Sequence, residues 1–260
     1  MLIRATAPYA QMSGGNKMIR TRKLFALLVF CMTMVFSLGS ISASHLERIE
    51  ASPDWVKKLS AAQNAKQLFI LAGVGQTTAW ISLHEKDGLG QWHQLMSTPG
   101  FIGKNGLGKT KEGDGKTPVG IFHFNKAFGI APDPGCALPY TQVDENIYWS
   151  GDVRPGMKYN EMVDIRKFPG LDKEASEHIA DYTVHYVYCL NISYNEEATP
   201  GDGSAIFLHC LAPMKPYTGG CVAIPQDKMR FVMQTVRPNC VVLIDSLKNI
   251  SPALADDWGI

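Results

Sequence analysis

From Gln67 onward the apolar positions fall in short runs rich in β-forming residues and bounded by polar or turn residues, the pattern of strands, whose successive side chains face opposite ways. Residues 67–74 and 77–85 are two such runs on either side of Gly75 and Gln76, and they predict a hairpin. Further strands are expected over 92–96, over 119–125 (VGIFHFN) and over 185–194 (HYVYCLNISY). Residues 204–210 (SAIFLHC) form a nearly continuous apolar run, as expected of a strand buried on both faces, and 240–245 (CVVLID) predict a last strand. Residues 100–118 read as a Gly- and Lys-rich loop, and 128–159, with four prolines and several aromatics, as irregular surface structure. Helical spacing occurs in two places. Residues 52–66 predict a lead-in helix; 225–236 predict another, with Pro225 in its first turn and Met229, Val232, Met233 and Val236 on one face. Many short strands and few helices define a mainly β fold with a few short helices.

The N-terminal pattern is different. A basic cluster (Arg20, Arg22, Lys23) precedes an uncharged run over 24–38 and then the small residues GSISAS. Basic end, short apolar run and small-residue exit are the parts of a secretory signal, and the run falls short of the ~20 residues of a spanning helix. Residues 1–44 are therefore expected to be an N-terminal extension and signal peptide, with Met18 as an alternative start and mature protein beginning near residues 43–45. Residues 45–66 are expected to be the lead-in segment, 67–247 the main folded domain and 248–260 a C-terminal tail. Membrane contact is expected only through this segment, cleaved as a signal or else retained as an anchor, and the protein is expected in the periplasm, elsewhere in the cell envelope or secreted.

Composition narrows the partners. The 260 residues are 45% hydrophobic and 19% charged with a formal net charge of +1, a folded globular composition without the basic stripe of a nucleic-acid binder. Once Cys31 leaves with the signal, Cys136, Cys189, Cys210, Cys221 and Cys240 remain. An odd number leaves at least one thiol unpaired within the chain.

Residues 103–110 (GKNGLGKT) match the phosphate-binding G-x-x-x-x-G-K-[ST] pattern. That loop acts between a strand and a helix whose N-terminal amides hold phosphate. The following KEGDGKTP has two glycines and a proline and predicts no helix, so no nucleotide partner is expected.

His209 ends the buried run, Pro213, Pro216 and Gly219 break the chain after it, and Thr218-Gly219-Gly220-Cys221 reads as a tight turn carrying a thiol. Thiol chemistry needs a base in hydrogen-bond reach and donors for a developing oxyanion; a Gly-Gly step lets backbone amides come close to a ligand. A partner imidazole favours the reactive thiolate. The same residues also suit a hydrogen-bonded core histidine and an inert buried thiol. A zinc site from His209, Cys210, Cys221 and His185 has no common ligand spacing, and adjacent His209 and Cys210 point to opposite strand faces. No metal or organic cofactor is expected.

SAIFLHC and YTGGCVAIP, preceded by GKNGLGKTKEGDGKTPVGIFHF with its K-T-P-x-G-x-F ending, resemble the signatures of the L,D-transpeptidase (YkuD-like) family over about residues 67–245. The resemblance implies a β-sandwich or barrel catalytic domain acting on peptidoglycan stem peptides, with Cys221 as nucleophile and His209 as general base and acid. It further implies an oxyanion hole from the Gly220 and Cys221 amides, with Tyr194 adding a hydroxyl, the Cys210 carbonyl orienting the imidazole, and Thr218 at the [S/T] position. Ala223 stands where many relatives have Arg, and the His-to-Cys gap is shorter than in many. The implied reaction is exported acyl transfer through a Cys221 acyl-enzyme. An L,D-carboxypeptidase on the same site and a catalytically silent wall-binding domain are the rivals.

Overall fold

The computed structural model describes residues 49–213 and 215–260; the expected signal segment lies outside them. In chain order the strands are β1 (Glu50–Ala51), β2 (Gln67–Gly73), β3 (Thr78–Lys86), β4 (Trp92–Phe101), β5 (Gly120–Gly129), β6 (Tyr140–Gln142) and β7 (Ile147–Gly151). They continue with β8 (Tyr159–Asp164), β9 (Glu177–His178), β10 (Cys189–Ile192), β11 (Phe207–Cys210), β12 (Val222–Ile224) and β13 (Cys240–Ser246). The helices are α1 (Gln226–Thr235), α2 (Leu247–Ile250) and α3 (Pro252–Trp258).

The strand order β4-β12-β11-β10-β5-β13-β2-β3 returns to β4 through a β3–β4 pairing, so the sheet closes into a barrel, with β1 on β4 and β6 on β5. Closure removes the free edges that an open sheet would expose. The expected hairpin is present, from Gln67 opposite Glu85 to Gly73 opposite Ala79.

Both faces of the wall are buried along much of its length, which explains the nearly unbroken apolar runs. In β2, Phe69 and Leu71 point into the barrel while Leu68 and Ile70 pack outside. In β13, Val242 and Ile244 point in while Val241 and Leu243 pack out. Met229, Val232 and Met233 of α1, with Val236 after it, join the interior cluster at 0% exposure. Each fully buried side chain of this size stabilises the fold by about 1.5–3 kcal/mol in transfer terms.

Several expectations need correction. Residues 52–66 form two 3₁₀ turns, Val56–Lys58 and Ser60–Ala62, because Leu59 between them is extended (ψ 138°). The expected strand over 185–194 begins with a 3₁₀ turn, His185–Val187, that buries Tyr186, and only then becomes β10. Residues 128–159 are not wholly irregular: they contain β6 and β7, and β7 pairs with β8 and β9 in a separate three-stranded sheet. The expected tail folds as α2 and α3. Ser246 Oγ caps α2 by accepting from Asn249 N, Pro252 starts α3, and Gly259 ends it in the left-handed conformation.

Candidate active site

Strands β11 and β12 run parallel, with Leu208 opposite Val222 and His209 opposite Ala223. Alternation sends Leu208, Cys210, Val222 and Ile224 into the barrel, and Phe207 and His209 to its outer face. Cys221, one residue before β12, joins Phe207 in the outer cluster, under the three-stranded sheet. Cys221 and His209 thus occupy one face of neighbouring strands, a diagonal step that spans about 8 Å on ordinary sheet spacings. Both line a cavity of about 430 Å³, together with Lys109, Glu112, Glu177, Tyr186, Lys215 and other residues.

The imidazole is held in one tautomer. His209 Nδ1 lies 2.9 Å from the Cys210 carbonyl, which can only accept, so Nδ1 carries the proton and Nε2 keeps its lone pair. Tyr186 and His185 pack edge-on against the ring at 5.5 and 5.8 Å between centroids. Burial pushes the His209 pKa down to about 4; His185 and Lys215 push the same way and the Cys210 carbonyl opposes. At neutral pH the ring is an uncharged base.

The Cys221 thiol is also neutral at rest. Its Sγ donates to the Ala205 carbonyl at 3.2 Å and accepts from the Phe207 amide at 3.4 Å. Burial pushes its pKa up to about 12, Glu177 adds to the rise, and the Phe207 amide and the Lys109 ammonium oppose it. The expected resting thiolate is therefore not favoured here: the thiol hydrogen bonds run to backbone at 205 and 207 rather than to the imidazole.

The turn before Cys221 is pinned from two sides. Thr218 Oγ1 donates to the Cys221 carbonyl at 2.7 Å and accepts from the Gly220 amide at 3.1 Å. Across the turn, Thr117 Oγ1 donates to the Gly220 carbonyl at 2.7 Å and accepts from the Gly103 amide at 2.9 Å. Gly220 has φ +149°, and a Cβ there would stand 2.9 Å from the Lys116 carbonyl oxygen, so only glycine fits.

The loop that matched the phosphate pattern lies between β4 and β5 with no helix after it. Its organiser is Asp114. The carboxylate accepts from the Thr110, Lys111 and Lys116 amides and forms an ion pair at 3.1 Å with the buried Lys109. Burial works to raise the Asp114 pKa, and these donors outweigh it, holding the group at about 2.

Of the expected site residues, the structure brings together His209, Cys210 (through its carbonyl), Thr218, Gly220 and Cys221. The Gly220 amide is turned inward to Thr218, which takes it out of the expected oxyanion pair. Tyr194 is elsewhere: its hydroxyl donates to the Asp202 carbonyl at 2.7 Å and its ring packs on Phe122, outside the cavity lining. Cys136, Cys189, Cys210, Cys221 and Cys240 are all free thiols. Sequence reasoning missed Thr117, Lys109, Glu112, Glu177 and Tyr186. Thr117 and Lys109 sit inside the Gly-rich stretch already singled out, whereas nothing in the local pattern marked Glu177 or Tyr186.

Fold and site together define a closed β-barrel domain built around a cysteine–histidine pocket. The family model of the L,D-transpeptidase catalytic domain (YkuD) matches residues 63–244, and the chain belongs to that family. Among solved structures it is similar to the helical cell shape determining protein Pgp2 from Campylobacter jejuni, at 15% identity, covering 75% of this chain and 55% of that one, TM-score 0.39. It is also similar to an L,D-transpeptidase from Mycobacterium smegmatis, at 14% identity, covering 70% and 59%, TM-score 0.33. A third is an Enterococcus faecium L,D-transpeptidase, at 14% identity, covering 70% and 50%, TM-score 0.32. The chain spans 50–59% of the length of these three structures. No curated protein sequence matches it.

Proposed function

We propose that this domain is an exported cysteine acyltransferase that performs L,D-transpeptidation on peptidoglycan stem peptides, with Cys221 as nucleophile and His209 as base and acid. The observation that carries this reading is the placement of Cys221 and His209 on one face of parallel neighbouring strands, in one cavity, with the imidazole fixed by Cys210 so that Nε2 is the basic atom. Family membership supports peptidoglycan stem peptides as the substrate class. Because thiol and imidazole are both neutral at rest, proton transfer accompanies attack rather than preceding it. The thiol swings from the Ala205 carbonyl toward His209, its proton moves to Nε2, and sulfur bonds to the donor carbonyl carbon at the L-to-D amide. The amide C–N bond then breaks, the leaving amine takes the proton from His209, and a thioester remains on Cys221. An acceptor amine attacks the thioester, gives its proton to His209, and releases the thiol and a new amide.

The test is to incubate purified protein with a disaccharide-tetrapeptide, with and without an added amine acceptor, and to analyse products by mass spectrometry. Cross-linked or amine-exchanged product that is lost in Cys221→Ala is expected. Shortened stem peptide alone, indifferent to added amine, points to a carboxypeptidase. Binding without turnover points to a silent wall-binding domain.

A further inference from the structure

We infer that Thr117 is a positioning residue that aims the Cys221 backbone amide as an oxyanion donor by fixing the Gly220–Cys221 peptide plane; this rests on the acyl-transfer reading of Cys221. Thr117 is fully buried, at 0% exposure, in the Gly-rich stretch, far in sequence from the turn it contacts. Its hydroxyl accepts from Gly103 N, which commits its proton to the other side, toward the Gly220 carbonyl at 2.7 Å and the Cys221 carbonyl at 3.2 Å.

The consequence follows from peptide geometry. The described residues contain no cis peptide bond, and in a trans peptide the C=O and the next N–H point in opposite directions. Tying the Gly220 carbonyl to Thr117 therefore turns the Cys221 N–H away from the Gly-rich loop. Among the described residues none of the turn's hydrogen bonds uses that amide. The amide also lies beside its own sulfur, where it helps to lower the thiol pKa. A carbonyl attacked by that sulfur develops its negative oxygen within reach of the same N–H, as oxyanion stabilisation requires. Gly220 leaves this plane without side-chain support, and at φ +149° its backbone has wide freedom, so an outside tether is needed to keep the amide aimed. Thr117 supplies it, which gives the K-T-P portion of the Gly-rich stretch a role in the chemistry although no side chain of that stretch reacts.

The test compares two electrophiles on the full protein. Iodoacetamide alkylates the thiol by displacement at carbon and forms no oxyanion; p-nitrophenyl acetate acylates it through a tetrahedral oxyanion. In Thr117→Val, the acylation rate is expected to fall about 10-fold or more relative to the alkylation rate, a part of the loss seen when an oxyanion donor is removed. Thr117→Ser keeps the hydroxyl and should hold that ratio within about twofold of wild type. A well-folded Thr117→Val with an unchanged ratio overturns the inference. If T117V does not fold, T117S decides: a tenfold fall in the ratio would mean that the methyl group, not the hydroxyl, matters. The readout needs no peptidoglycan. A wild-type protein inert toward stem peptides but showing the expected ratio change would overturn the proposed function and leave the Thr117 assignment standing.

Discussion

Over β2 and β13 the outer face of the barrel is sealed by apolar side chains; over β10 and β11 it is covered by a mixed roof, aromatic in part and polar in part, that leaves a cavity. On the sealed side, Val56, Ala61, Leu247, Ile250 and Ala255 pack against Leu68 and Ile70. On the roofed side, the three-stranded sheet stacks Trp149 on Phe128 and sets it edge-on to Phe207, and Glu177 of that sheet, with Tyr186 of the 3₁₀ turn bonded to it, lies beside Cys221. The barrel wall offers the same alternation on both sides. What differs is the cover: one fills the face completely, and the other fills part of it and lines the rest with ionisable groups. In this fold the covering elements, more than the barrel itself, create the place where chemistry can occur.

The largest effect that separates the two sides is expected from His209→Ala. Removing a positioned general base typically costs 10²- to 10⁴-fold in rate, and acyl transfer measured with stem peptide should fall by that order while the thermal midpoint changes little. Wild-type transfer should persist into mildly acidic solution, because the base works when neutral and burial holds His209 at about 4; activity should be lost as pH falls through that value. A transfer rate that halves near pH 6.5 would show a solvated imidazole instead.

Next is Leu247→Ala on the sealed side. Leu247 is 1% exposed, and truncation of such a side chain costs about 2–5 kcal/mol. Denaturant unfolding should show that loss, with transfer per folded molecule unchanged. A loss of activity at full stability would mean that the two sides are coupled.

The smallest effect sharpens the roofed side. Glu177 raises the pKa of Cys221, and the Tyr186 hydroxyl donates to its carboxylate at 2.8 Å, opposing the rise that burial imposes on Glu177 itself; Glu177→Gln takes that carboxylate away from the sulfur. Thiolate is the species alkylated, and one pKa unit is a tenfold change in its fraction, so iodoacetamide should react roughly threefold to tenfold faster at a fixed pH near 8. An unchanged or slower rate would show that the carboxylate does not act on the thiol.

The sealed side was largely legible in the sequence, and the roof was not. Strands β2 and β13 carry nearly unbroken apolar runs, β3 is legible as the second arm of the hairpin, and α1 shows its buried face as Met229, Val232 and Met233 at helical spacing. His209 and Cys221 were legible because a strand-end imidazole and a Gly-Gly-Cys turn are local features. The roof strands are short and separated by long connections: β7 ends at Gly151, β8 begins at Tyr159 and β9 is only Glu177–His178, so no window carries their pattern. Tyr186 sits in a β-rich composition, yet contacts with Phe207 and His209 hold it in a 3₁₀ turn, where tertiary packing overrides local preference. Tyr194 was misplaced because a hydroxyl's partner, here the Asp202 carbonyl, is set by the path of the loop and not by residue type.

The most direct measurement is the mass of the protein during turnover. Mixed with a tetrapeptide stem donor and quenched early, the protein should gain the mass of the acyl tripeptide, located by digestion on the peptide that contains Cys221. The Cys221→Ala protein should gain nothing, and the adduct should disappear when an amine acceptor is added. An adduct on Cys136, Cys189, Cys210 or Cys240, or stem-peptide conversion by the Cys221→Ala protein, would contradict a Cys221 acyl-enzyme.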